Sequence, residues 1–167
     1  VADLRSAGVE FTWLGVNNWF VASGRTHCKW LIIDSVVYSF GGVNVYDFGI
    51  KNTDFMLKIN SKKVSDDLSV EFSKILKADK NKMSPSNKFI KIDSENTIII
   101  DGGFVNNSAI YRRAYKLAKQ ASKIIIVSQY PTTGRLGTLI KNRKRAGIDI
   151  RTYFNLPKNA GSSNKLI

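Results

Sequence analysis

Apolar and polar positions are most clearly organised over residues 29–40. Lys29-Trp30-Leu31-Ile32-Ile33 and Val36-Val37-Tyr38-Ser39-Phe40 are two short β-prone runs, and the Asp34-Ser35 pair between them predicts a turn. Asp54-Phe55-Met56-Leu57-Lys58-Ile59 alternates as a further strand. Residues 65–77 change to a helical period. Ser65 is placed to cap that helix, Asp66 and Asp67 suit its first turn, and Leu68, Phe72, Ile75 and Leu76 form the face expected to be core. Near the start, residues 4–14 predict a helix end, a stop at Gly8 and a strand.

Residues 77–88 are polar with one proline and predict a surface connection. Beyond them, 89–93 and 97–101 predict a hairpin over Ser94-Glu95-Asn96, and the glycine pair at 102–103 a turn. A helix over about 107–121 is expected to bury Ile110, Ala114, Leu117 and Ala121. The apolar run Lys123–Ser128 predicts a strand covered on both faces. A helix over about 134–146 and a strand over 148–154 complete an α/β alternation, and 155–167 predict a loop. The chain thus divides into residues 1–78, a connection over 77–88, and residues 89–167. Ala7-Gly8-Val9-Glu10-Phe11 returns as Ala146-Gly147-Ile148-Asp149-Ile150, each copy after a basic helix end. This predicts one full repeat and the opening of a second.

With 167 residues, 43% hydrophobic and 23% charged, the chain is long enough for one domain with a real core, or part of a larger one. The net charge of +13 changes the picture, because it favours anionic partners such as nucleic acid, anionic lipid or phosphorylated substrates. Cys28 is the only cysteine, which excludes an intrachain disulfide. No apolar run is long enough to span a bilayer. The start at Val1 suggests an excised or processed piece. The basic stretch Lys141-Asn142-Arg143-Lys144-Arg145 fits a solvated helix end stabilised by the dipole, and less readily a phosphate or lipid patch.

The candidate chemistry gathers at the first hairpin. His27 is the only histidine. Alternation puts His27 and Lys29 on one face and Cys28 on the other. Gly41-Gly42 permits a tight turn or a close approach to a ligand, and Asn44 adds an amide donor. An imidazole, an ammonium and an amide aimed at one point suit a tetrahedral anion, most simply a phosphate diester. Trp19 and Phe20, in the loop before the motif, either line the rim of such a site, against an acyl chain or a base, or fill the loop's own core.

The spacing His27-x-Lys29, four residues, Asp34, six residues, Gly41-Gly42-x-Asn44 resembles the HKD motif of the phospholipase D superfamily. Its ending is most like the bacterial cardiolipin synthase branch. The resemblance implies an α/β fold, a phospholipase D-like mixed sheet flanked by helices on both faces in αβα layers. It also implies that His27 is nucleophile or acid, that Lys29 and Asn44 hold the non-bridging oxygens, and that Asp34 holds the local fold or orients a histidine. Gly41 and Gly42 would then shape the backbone below the phosphate. Neither a metal nor a cofactor is called for. The chain carries one such motif where the superfamily's site takes two, so a homodimer or a segment outside this chain would complete it. The substrate implied is an anionic phospholipid or another phosphodiester, with a membrane-associated bacterial parent protein. A nuclease acting on DNA or RNA and a non-catalytic anion-binding module are the competing expectations.

Overall fold

The computed structural model describes residues 2–12, 27–42, 54–80, 86–102 and 107–155. It is mixed α/β, with four helices and three small sheets among those residues. The chain divides into two compact units, residues 1–109 and 110–167.

In the first unit, α1 (Ala2–Ser6) is followed by three antiparallel strands in the order β1 (Trp30–Ile33), β2 (Val36–Phe40) and β3 (Met56–Asn60). Ile33 pairs with Val36, so Asp34-Ser35 is a two-residue hairpin turn, as the pattern predicts. Asp34 takes φ +53° there, a left-handed conformation that a short polar side chain tolerates better than a branched one. Replacing Asp34 with valine is expected to cost about 1–2 kcal/mol in urea unfolding, and replacing it with glycine almost nothing. Equal losses for the two would show that the side chain, not the φ angle, matters.

The helix α2 (Lys62–Lys80) begins earlier and ends later than the pattern suggests. Ser61 is its cap, accepting the Val64 amide on its hydroxyl at 3.3 Å. Ser65, expected as the cap, is instead buried in the first turn and donates to the Asp34 carbonyl at 3.4 Å. Besides Ser65, the buried positions on α2 are Val64, Leu68 and Glu71, spaced i, i+4, i+7, while Phe72 of the expected face is exposed. Glu71 is held by Lys74 at 2.7 Å, with Lys88 at 3.9 Å.

Strands β4 (Lys88–Lys91) and β5 (Thr97–Ile100) form the expected hairpin. Asp93 holds its loop by accepting from the Asn96 side-chain amide and from the backbone amides of Asn96 and Glu95, in that order of effect, which keeps its carboxyl below the usual carboxylate range. Ile90 and Ile100 join Val37, Val64 and Leu68 in one core, with Trp30, Ile32 and Ile59 against it. This shared core puts the hairpin in the first unit. The division therefore falls at Ala109, not in the polar stretch 77–88, part of which is helix.

The second unit contains α3 (Ala109–Gln120, all but its first residue), β6 (Lys123–Ser128), α4 (Gly134–Arg145) and β7 (Asp149–Phe154). The two strands run parallel from Lys123↔Asp149 to Ser128↔Phe154, with α4 as the crossover. Two expectations fail here. Ile110, Ala114 and Leu117 of α3 are exposed, and so are Ile125 and Val127 of β6, so that strand is not covered on both faces. Periodicity shows which side of an element is apolar, but burial also requires a second element against that side. Within the basic stretch Arg143 is half-buried, its guanidinium donating to the Ala121 carbonyl, while Lys141, Lys144 and Arg145 lie exposed on the last turns of α4.

The short repeat has a matching backbone. Gly8 and Gly147 have φ +83° and +87°. Each glycine amide donates to the carbonyl three residues back at 3.0 Å, and the next amide to the carbonyl five back. Both helices thus end in the same left-handed glycine cap. A strand follows only the second. Residues 9–12 form none, whereas β7 has β6 to pair with.

Candidate functional site at the first hairpin

Lys29 and Cys28 lead into β1, and the pairing of β1 with β2 extends past Trp30↔Ser39 through a Phe40 amide that donates to the Lys29 carbonyl at 2.8 Å. His27 and Lys29 meet as their alternation suggests. The Lys29 ammonium lies 3.3 Å from His27 Nδ1 and 3.4 Å from Nε2, and donates to the His27 carbonyl at 3.0 Å. An ammonium only donates, so a ring nitrogen accepts from it only in the tautomer in which that nitrogen carries the lone pair. The pair is an exposed imidazole with a cation anchored beside it. Such a pair can attack or protonate at an anionic centre while the cation offsets the charge.

The Gly41-Gly42 turn is held from the next strand. Gly41 donates to the Phe55 carbonyl at 3.0 Å, and both Asp54 carboxylate oxygens accept the Gly42 amide, at 3.0 and 2.9 Å. Asp54 also accepts the Phe55 amide at 2.8 Å. The amides of Gly42 and Phe55, in that order, then Lys29, hold the Asp54 carboxyl below the usual range. Neither glycine has positive φ. Glycine is required at 41 because a Cβ there would run into Asp54 Oδ1 and come within 3.0 Å of the Phe55 ring. The Gly42 amide is thus committed to Asp54. Of the candidate anion-binding groups among the described residues, the Lys29 ammonium is the one aimed at His27.

A depressed carboxyl pKa stabilises the fold above the pKa of the unfolded chain, near 4, and that stability is lost as pH falls through the folded value. Asp54→Asn is therefore expected to flatten the urea midpoint against pH below about pH 4, relative to the unaltered chain. Identical acid limbs for the two proteins would mean that the clasp is not closed in solution.

Asp34 lies at the opposite end of β1 from His27. Seven residues of extended chain separate them, on the order of 20 Å. Of its two implied roles, the structure brings Asp34 to the turn and not to the imidazole. Trp19, Phe20 and Asn44 lie outside the described residues. Asp54 is the residue that sequence reasoning missed. Its place across from Gly42 follows from the β2–β3 pairing Phe40↔Met56, which no local pattern in the sequence announces.

Behind the strand, on the α2 side, is an open cavity of about 480 Å³. It is lined by Cys28, Trp30, Leu31 and Ile32 from the strand and by Ser69, Phe72, Ser73 and Ile75 from α2. Cys28 is exposed as a residue, yet enough protein surrounds its thiol to push its pKa up; Lys29 opposes this and Asp101 reinforces it. A raised thiol stays protonated and is a poor nucleophile, which leaves the imidazole as the reactive group.

Comparison with family models, characterised proteins and solved structures finds no match.

The functional reading therefore stands on the motif and its geometry. Among the described residues no group of three or more His, Cys, Asp or Glu is placed to hold a metal ion, and no helix is long and apolar enough to cross a membrane.

Proposed function

We propose that the chain carries half of a phospholipase D-like phosphodiester-exchanging site, of the cardiolipin synthase type. The observation that supports this most directly is the His27–Lys29 pair, with the ammonium 3.3 Å from His27 Nδ1 at the open end of the β1–β2 hairpin. A His27 ring nitrogen attacks phosphorus, and the bond from phosphorus to the leaving oxygen breaks. A second imidazole, from another copy of this chain or from a segment beyond it, gives its proton to that oxygen. Water or an alcohol then attacks the phosphohistidine and yields its proton to the second imidazole, and the phosphorus–nitrogen bond breaks. Lys29 already spends one N–H on the His27 carbonyl, which leaves donors for a non-bridging oxygen as charge builds there. Asn44 would supply the remaining donor. Asp54 holds the turn below this point.

The +13 charge also suits a nucleic-acid diester, so a nuclease is the second reading. Single-turnover trapping of a phosphohistidine, with light scattering on the same sample, tests the proposal. Label at His27 in a dimeric species supports a composite site made from two copies. Absence of label at every concentration, with lipid and with DNA diesters alike, rejects catalysis by this chain.

A further inference from the structure

The charge of the chain is not spread evenly. Residues 110–167 hold thirteen of the 26 Lys and Arg residues but only one of the 13 Asp and Glu residues, Asp149. The second unit therefore carries +12 of the net +13, and the unit with the histidine motif is close to neutral.

Within the second unit α3 is amphipathic in one particular way. Arg112, Arg113, Lys116 and Lys119 fall on one side of its helical wheel, with no acidic residue anywhere in the helix. Ile110, Ala114 and Leu117, spaced i, i+4, i+7, lie on the other side. Ile110 and Leu117 are 52% and 51% exposed. Tyr115, further round the same helix, is half-buried, with the Arg135 guanidinium 5.9 Å from its ring centre. The α4 side of the helix is thus occupied, and the aliphatic stripe is open.

We infer that α3 is a docking surface for an anionic lipid bilayer, lying in the headgroup plane with Ile110, Ala114 and Leu117 toward the acyl boundary. Charge complementarity alone would suit any polyanion. The aliphatic stripe decides between them, because a nucleic acid offers phosphates and base faces and gains little from Ile and Leu. A bilayer interface accepts both halves of such a helix. The inference rests on the second unit and is independent of the catalytic reading.

The test is co-sedimentation of the full chain with vesicles of phosphatidylcholine alone and with 30% phosphatidylglycerol, beside binding to a 30-base-pair DNA duplex. Binding to the anionic vesicles is expected. Arg113→Gln/Lys116→Gln/Lys119→Gln should weaken it on the order of 100-fold. Ile110→Ser/Leu117→Ser should weaken it at least about 10-fold without changing its salt dependence. Both variants alter exposed positions, and circular dichroism checks that they fold. A Leu117→Trp variant reads insertion separately, through emission quenched by brominated acyl chains beyond that of the three natural tryptophans. No vesicle binding, vesicle binding that ignores the Ile110/Leu117 change, or DNA binding with no vesicle preference each overturns the inference.

Discussion

His27→Ala is expected to lower turnover of a phosphate diester at least about 10³-fold and to abolish the phosphohistidine. The size follows from the chemistry. A positioned acid or base alone contributes about 10²- to 10⁴-fold, and removal of a nucleophile also closes the covalent route. No other imidazole exists in the chain to substitute, and Cys28 beside it is held as a protonated thiol. The side chain is exposed, so its loss leaves the core intact, and unfolding in urea serves as the control. Lys29→Met, which removes the donor but keeps much of the stem, is expected to cost about 10²-fold. Its effect should fall mainly on kcat, since charge on the phosphoryl oxygens is greatest in the transition state. If His27→Ala retains more than a tenth of the unaltered turnover, the motif is not the site.

The second large effect concerns stability. Leu68→Ala is expected to destabilise the first unit by about 2–5 kcal/mol, read as a lower urea midpoint and a fall in Tm of about 10 °C or more. Leu68 is fully buried where α2 meets both antiparallel sheets, in the core that also contains Val37, Ile90 and Ile100. A cavity there has lining residues from three elements, which cannot all move in to fill it. Phe72→Ala, one turn on and facing the open cavity, should cost much less. Similar losses at the two positions would mean that the apolar face runs as its periodicity suggests and not as the structure has it.

The difference between Leu68 and Phe72 shows what the sequence carries and what it leaves out. The hairpin around Asp34-Ser35 was legible because its information is local: two β-prone runs and a polar pair between them. The meeting of His27 and Lys29 was legible for the same reason, since two residues of extended chain restore the same face. The helix α2 was visible from its period, but its cap and its inward side depend on where Asp34 and Ile90 lie, tens of residues away. The Asp54 clasp was hidden because it depends on strand pairing across a segment of twelve residues. The exposed stripes of α3 and β6 were read as buried because apolar periodicity looks the same whether or not another surface covers it. Of the candidate residues, the geometry brings His27 and Lys29 together and puts Asp34 at the far turn of the hairpin, while Trp19, Phe20 and Asn44 lie outside the described residues.

The close approach at Gly41 sets a rule for how this sequence can vary. A methyl group at 41 and a carboxylate at 54 compete for one space, and the Phe55 ring closes the other side. The two positions are therefore expected to change together. Alanine at 41 becomes tolerable when residue 54 is shortened, at the loss of the bond to the Gly42 amide. A library randomised at 41, 54 and 55 and selected for folding should return such pairs far more often than either change alone.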